Sequence, residues 1–167
     1  MLSFLPPGAR AVAALLLLVG NTLFWCLLLF VLALVKLALP FAPVRTAIDP
    51  LLNGVATRWI AGNSGWMRLT QCTHWDVAGA DGFAYHGWYM VSANHQSAVD
   101  IFVLQHVFNR RIPLLKFFLK QELIYVPVMG LAWWALDFPF MRRHSDKVLR
   151  KHPEKRLEDL ETARRAC

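Results

Sequence analysis

The longest apolar stretch of the chain covers residues 11–35, where no side chain is charged and only Asn21 and Thr22 are polar. A helix of this length would extend about 37 Å, which exceeds the ~30 Å hydrocarbon core of a bilayer. A signal peptide has a shorter apolar region and a small-residue cleavage site, and so long a core helix is unusual in a small domain. The pattern therefore predicts a membrane-embedded helix. A hairpin that enters one leaflet, loosened at Gly20-Asn21, is its main variant.

The apolar stretch is followed by a region rich in proline, in which Pro40, Pro43 and Pro50 are expected to break the chain. Residues 51–69 then carry apolar side chains at helical spacing, which predicts an amphipathic helix weakened by two glycines. Its tryptophans suit the interface between lipid and water.

Further along, the pattern alternates between strands and helices. Residues 75–79 and 88–93 read as strands, the second of them buried, and residues 138–141 as a return to a strand. Residues 98–108 and 113–123 read as helices, and the uncharged residues 126–136 suit a core or membrane-docking helix. This order predicts an α/β fold. We expect a membrane anchor at 1–40, an interfacial segment at 41–72 and the first part of an α/β domain at 73–167.

Composition narrows the class of protein. The chain is 56% hydrophobic with a net charge of +7, and seven Lys or Arg lie between Arg142 and Arg156. Such a run could face anionic lipid head groups or simply be a solvated helix face. Because of the membrane segment, we expect no nucleic acid as a partner. The three cysteines form no C-x-x-C pair, and the six histidines show no metal-ligand spacing, so we expect no metal site.

His95 stands out among the histidines because it directly follows a predicted strand and precedes a predicted helix, where open α/β sheets place ligand-handling residues. Two side chains five residues apart on one helix lie roughly 140° apart. His95 and Asp100 can therefore meet only if His95 precedes the helix that Asp100 enters. Ser97 supports this arrangement, because Ser97-x-x-Asp100 fits a capping box. Asp100 then has two compatible roles, one in the cap and one beside the histidine.

A histidine–aspartate pair without a neighbouring nucleophile suits a reaction in which the substrate supplies the hydroxyl. His95 would take the proton, and Asp100 would hold the imidazole tautomer. Ser97 as a covalent nucleophile, which would make the protein a hydrolase, is the competing interpretation. Ser97 is better explained as an N-cap.

The sequence around this pair resembles the glycerolipid acyltransferases with the H-x4-D signature, typified by lysophosphatidic acid acyltransferase. Asn94-His95-Gln-Ser97-x-x-Asp100 is similar to a bacterial inner-membrane branch of that family. So are the later segments Lys-Gln-Glu-Leu at 120–123, Pro-x-x-Gly at 127–130 and Trp-Ala-Leu-Asp-x-Pro-Phe-Met-Arg-Arg at 134–143. The resemblance implies His95 and Asp100 as the catalytic pair, and we add Asn94 and Ser97 as substrate-binding candidates beside it.

The family's Phe-x-x-Arg motif matches Phe140-Met-Arg-Arg143, which implies that Arg143 helps to hold the acceptor's phosphate. A guanidinium offers phosphate a bidentate fork, although Arg143 also belongs to the basic run. The family's later Glu-Gly-x-Arg motif does not occur in these 167 residues. We therefore expect an N-terminal fragment of a longer enzyme.

Together, these features predict an O-acyltransferase of phospholipid biosynthesis. It would move a fatty acyl group from acyl-CoA or acyl-carrier protein to a lysophospholipid such as lysophosphatidic acid, with no bound cofactor. The resemblance and the excess of basic residues after the apolar helix place it in a bacterial inner membrane, with its domain facing the cytoplasm. The alternative is a truncated, inactive membrane protein that only binds lipid or a partner.

Overall fold

The computed structural model describes Leu2, residues 4–142, and Leu157, Leu160, Glu161 and Arg164. The chain divides into two compact units, Met1–Leu115 and Lys116–Cys167. The first contains the helices α1 (Pro7–Ala38), α2 (Ala42–Thr70) and α3 (Ala98–Phe108). The second contains strand β1 (Leu119–Lys120), a 3₁₀ helix (Gln121–Tyr125), helix α4 (Met129–Ala135) and strand β2 (Phe140–Met141).

Helix α1 confirms the predicted apolar helix and runs unbroken through Gly20-Asn21, so the expected loosening at that point is wrong. It begins at a proline, whose fixed φ and missing N–H suit a first helical turn. Among the described residues it is the one helix long and apolar enough to cross a membrane, with a mean hydropathy of 2.5. Most of its leucines and phenylalanines are exposed, and only Cys26 and Leu29 are buried.

Helix α2 starts eight residues before the expected break at Pro50 and continues through it. A proline inside a helix removes one backbone hydrogen bond at a cost of ~3 kcal/mol. Here the buried side chains Ile48 and Leu52 flank the proline, and Asp49 forms an ion pair with Lys36 of α1 at 2.9 Å. This packing against α1 offsets the lost bond, which is why the prediction of a break at Pro50 is wrong.

Helices α1 and α2 pack side by side in antiparallel directions. Near one end of the pair the Trp66 indole N–H donates to the Ala14 carbonyl at 2.7 Å, and near the other end lies the Lys36–Asp49 ion pair. The stripe of α2 that packs inward repeats every three or four residues, as a helix face requires: Ile48, Leu52, Ala56, Ile60, Asn63 and Met67. The hairpin therefore forms between α1 and α2.

The predicted strands at 75–79 and 88–93 are wrong, because residues 71–97 are irregular. A strand must pair its backbone groups with a neighbour, and the one pairing in the described part of the chain joins β1 to β2. The expected burial of the second strand is wrong as well, since Trp88 and Met90 are 100% and 95% exposed. Aromatic side chains instead tie this segment to α3, with Trp75 against His106 and Phe83 against Phe108.

In the second unit, β1 and β2 form a parallel pair in which Leu119 faces Phe140. The strand predicted near residues 138–141 is confirmed. The helix predicted at 113–123 is wrong except at its last residues, where the 3₁₀ helix begins. Gly130 lets α4 pack closely on the 3₁₀ helix, because a Cβ there would overlap the Ile124 carbonyl. Within the residues that the structure describes, the expected α/β character is thus present only as a two-stranded sheet among mostly helical elements.

Candidate active site

The candidate site is built at the amino terminus of α3, which begins where the sequence predicts. Ser97 is the N-cap in an extended conformation, and its hydroxyl accepts a hydrogen bond from the Val99 N–H at 3.3 Å. The Asp100 carboxylate reaches back to the Ser97 backbone N–H and completes the capping box. Two of the helix's first unpaired N–H groups are thereby satisfied.

The Asp100 carboxylate is held mainly by backbone. Its Oδ2 atom accepts from the N–H groups of Gln96 and Ser97, both at 2.7 Å. These two bonds, the one from Ser97 first, lower the pKa of Asp100, and the neighbouring His95 lowers it further. Because hydrogen bonds to the charged form favour ionisation, Asp100 is an anion at neutral pH.

His95 lies outside the helix, two residues before the N-cap, and its Nδ1 atom is 3.4 Å from Asp100 Oδ2. The prediction that a five-residue spacing can join these side chains only across the helix start is confirmed. The distance is long for a hydrogen bond, as is common in sites without substrate. A carboxylate on this side favours the tautomer with the proton on Nδ1, which leaves Nε2 as the basic nitrogen.

The pair is open to solvent and to a substrate. The side chains of His95 and Asp100 are 54% and 34% exposed. Asn94, the preceding residue, is also exposed. A reactant hydroxyl can therefore approach the imidazole without a change in the fold.

The remaining candidates divide into two groups. Ser97 serves the helix cap through its hydroxyl, as expected from its position. Arg143 lies outside the described residues, directly after the segment in which Phe140 belongs to strand β2. No group of three or more His, Cys, Asp or Glu that could hold a metal ion is present within the residues that the structure describes.

One contributor was missed by the sequence reasoning. The Gln96 backbone N–H makes as short a bond to Asp100 as the Ser97 N–H does. A capping box predicts only the Ser97 contact. Any residue type at position 96 other than proline has a backbone N–H, so the sequence does not show that this N–H is a donor. The turn between His95 and the helix thus provides two donors where the pattern indicated one.

His106, at the other end of α3, also had no sequence signal. Its ring stacks on Trp75 with centroids 4.4 Å apart, and its buried Nδ1 atom has no hydrogen-bond partner in the described structure. Burial lowers the pKa of His106, and the positive charges of Arg68 and Arg111 lower it further. His106 is therefore a neutral packing residue of α3.

The described residues thus place an aspartate-backed histidine at a helix start, in a chain whose first helix is long and apolar enough to cross a membrane. A comparison with protein-family models matches the acyltransferase family over residues 74–165, more than half of the chain. The chain belongs to this family, which confirms the resemblance to the glycerolipid acyltransferases. The matched range contains the five candidate site residues. No curated protein and no solved structure matches the chain.

Proposed function

We propose that the protein is an O-acyltransferase that moves a fatty acyl group from a thioester donor to the hydroxyl of a lysophospholipid such as lysophosphatidic acid. The observation that carries this proposal is the His95–Asp100 pair at 3.4 Å, placed at a helix start in a member of the acyltransferase family. Acyl-CoA or acyl-carrier protein would serve as the donor, and no resident cofactor is needed.

The chemistry follows from the orientation of the imidazole. With the Nδ1 proton directed at Asp100, Nε2 takes the proton of the acceptor hydroxyl as its oxygen attacks the thioester carbonyl carbon. The carbon–sulfur bond breaks as the new ester forms, and the departing thiolate receives the proton held on Nε2. Asp100 stabilises the imidazolium between these steps, and its lowered pKa keeps it charged for this role.

The acceptor's phosphate is the group for which we propose Arg143, on the strength of the Phe140-Met-Arg-Arg143 motif and the geometry by which guanidinium binds phosphate. Asn94 and Ser97 flank His95 in sequence and are proposed to contact the substrates. Ser97 does so while its hydroxyl caps α3.

The α1–α2 hairpin supports a proposal for how the protein lies in the membrane. Trp59 of α2 contacts Thr22 near the middle of α1, so the exposed Arg58 of α2 lies at the same level. If α1 stood across a bilayer, Arg58 would enter the hydrocarbon at a cost of about 2.5–3.5 kcal/mol. We therefore propose that the hairpin lies within one leaflet, with the apolar face of α1 against the lipid.

We propose the cytoplasmic leaflet of a bacterial inner membrane as the location. The basic residues of α2 and its flanks suit anionic lipid head groups and the positive-inside rule. The acceptor is itself a membrane lipid, so this placement delivers it to His95 without extraction into water.

The test is an acyl-transfer assay with membranes that contain the chain. Labelled acyl-CoA and acyl-carrier protein are supplied in separate reactions with lysophosphatidic acid, and the phospholipid product is measured. We expect transfer from at least one donor and a loss of about 10²–10⁴ in His95→Ala. Binding of the lipid by the folded chain without transfer from either donor would favour the inactive lipid-binding alternative.

A further inference from the structure

The middle of the apolar helix α1 carries a polar contact with α2. The Asn21 side-chain amide donates to the Trp59 carbonyl at 3.1 Å and to Asn63 Oδ1 at 2.9 Å. Beside it, the Trp59 indole N–H donates to the Thr22 hydroxyl at 3.3 Å. Asn63 is only 2% exposed, so this contact is enclosed between the two helices.

Asn21 fits against α2 because residue 62 is glycine. A Cβ at Gly62 would overlap the amide oxygen, carbon and nitrogen of Asn21. A Cβ at Gly65, one turn further along α2, would meet nothing within 4 Å, and the same is true of Gly20 beside Asn21. The hairpin thus contains one notch, at Gly62, and one side chain that fills it.

Such a contact resists both sliding and rotation of α1 on α2. A shift of one helical turn would remove Asn21 from the notch and leave the buried Asn63 without the donor that it accepts from. In lipid no water replaces a lost hydrogen bond, so the shifted state leaves the Asn63 Oδ1 atom unpaired.

Helix α2 also packs against α3, the helix at whose start the candidate active site lies. The Asn109 side chain, at the end of α3, donates to the Thr57 carbonyl at 3.3 Å. Trp66 contacts both partners, since its indole N–H bonds to Ala14 of α1 and its ring lies 6.0 Å from the ring of Phe102 in α3. The register of the hairpin is therefore coupled to the position of α3.

We infer that Asn21 is a positioning residue for the acyltransferase site. Its amide packs against Gly62 and fixes the register of α1 on α2. That register determines the distance from the lipid at which α3 holds His95. This inference rests on the proposed function. We call the contact of Asn21 with Gly62 the lock. The inference predicts that loss of the lock weakens binding of a membrane-borne acceptor more than it slows the chemical step.

The experiment uses Gly62→Ala, with Gly65→Ala as the matched control, together with Asn21→Ala and the double variant Asn21→Ala/Gly62→Ala. Amide hydrogen exchange of the full chain in lipid nanodiscs reports on α2 and α3 without requiring activity. Steady-state kinetics are then measured with a long-chain lysophospholipid in vesicles and with a short-chain analogue that stays dissolved in water.

We expect Gly62→Ala to raise amide exchange in α3 about tenfold, which is within the usual range for residues coupled through a shared backbone shift. The KM for the vesicle-borne acceptor should rise by about the same factor, whereas kcat and the KM for the dissolved acceptor stay within about twofold. Gly65→Ala should match the wild type. In the Asn21→Ala background, adding Gly62→Ala should have no further effect, because the clashing side chain is gone.

Three other outcomes would each contradict one part of the proposal. If Gly62→Ala and Gly65→Ala behave alike in exchange and in kinetics, there is no lock. If exchange shows the coupling but the two acceptors are affected equally, the lock is structural and Asn21 is not a positioning residue. If the wild type shows the exchange pattern but transfers no acyl group, the proposed function fails while the lock stands.

Discussion

Ser97 offers the sharpest test of the chemistry, because a cap and a nucleophile predict effects of different size. Ser97→Ala removes the hydroxyl that accepts from the Val99 N–H. Loss of an N-cap costs about 0.5–2 kcal/mol. The 3.3 Å bond is longer than the usual ~2.9–3.0 Å, so we expect about 1 kcal/mol. The two 2.7 Å bonds to Asp100 come from backbone N–H groups and survive the substitution.

This destabilisation limits how much activity the loss of the cap alone can remove. Suppose that the whole loss of about 1 kcal/mol disfavoured the conformation in which His95 faces Asp100. The population of that conformation, and with it the rate, would then fall roughly fivefold. Removing a group that takes part in the proton transfer costs about 10²–10⁴. Ser97→Asn separates the cases further, since asparagine caps a helix as well as serine does but has no hydroxyl. We expect Ser97→Asn to unfold like the wild type and to lose less than about tenfold in rate, because a substrate contact at Ser97 contributes less than proton transfer does.

The assay is the initial rate of phospholipid formation in membranes adjusted to equal amounts of each variant, with thermal unfolding followed by circular dichroism. A capping role for Ser97 is contradicted if Ser97→Asn unfolds like the wild type but transfers at less than about a hundredth of its rate. Detection by mass spectrometry of an acyl group on Ser97 after an acid quench would establish the covalent route.

Three further predictions concern stability. Asp100 has a lowered pKa, so its stabilising effect is complete above the unfolded value of about 3.9 and is lost as pH falls through the folded value; Asp100→Asn should flatten this acid limb of the unfolding midpoint. His106 also has a lowered pKa, so the midpoint should drop as pH falls below about 6.5, and His106→Gln should remove that slope. Gly130→Ala places a Cβ against the Ile124 carbonyl and should cost about 1–3 kcal/mol in denaturant unfolding.

The features that could be predicted from the sequence are those that depend on neighbouring residues. The apolar run predicts α1 because its length and composition need no partner. The Ser97-x-x-Asp100 spacing predicts the start of α3, and with it the placement of His95 outside the helix. Both follow from helix geometry and capping, which act within about one turn.

The errors concern elements whose state depends on a distant partner. Residues 88–93 are rich in bulky side chains, as a buried strand is, yet an isolated strand leaves its backbone groups unpaired, and no strand pairs with this segment in the described structure. Pro50 reads as a helix breaker, yet packing of its neighbours against α1 outweighs the local cost. Propensity is a weak prior at such positions, because tertiary contacts contribute more free energy.

The apolar helix illustrates the same division. The apolar helix over residues 11–35 could be predicted from the sequence, since the hydrophobicity that identifies it is a property of the side chains themselves. Three other features appear only in the folded chain: the pairing of this helix with α2, the fit of Asn21 over Gly62, and the packing of α3 on the same hairpin. Most of these contacts join residues far apart in sequence, such as Asn21 with Asn63 and Asn109 with Thr57. A specific hydrogen bond or notch exists only after the chain has brought both sides together.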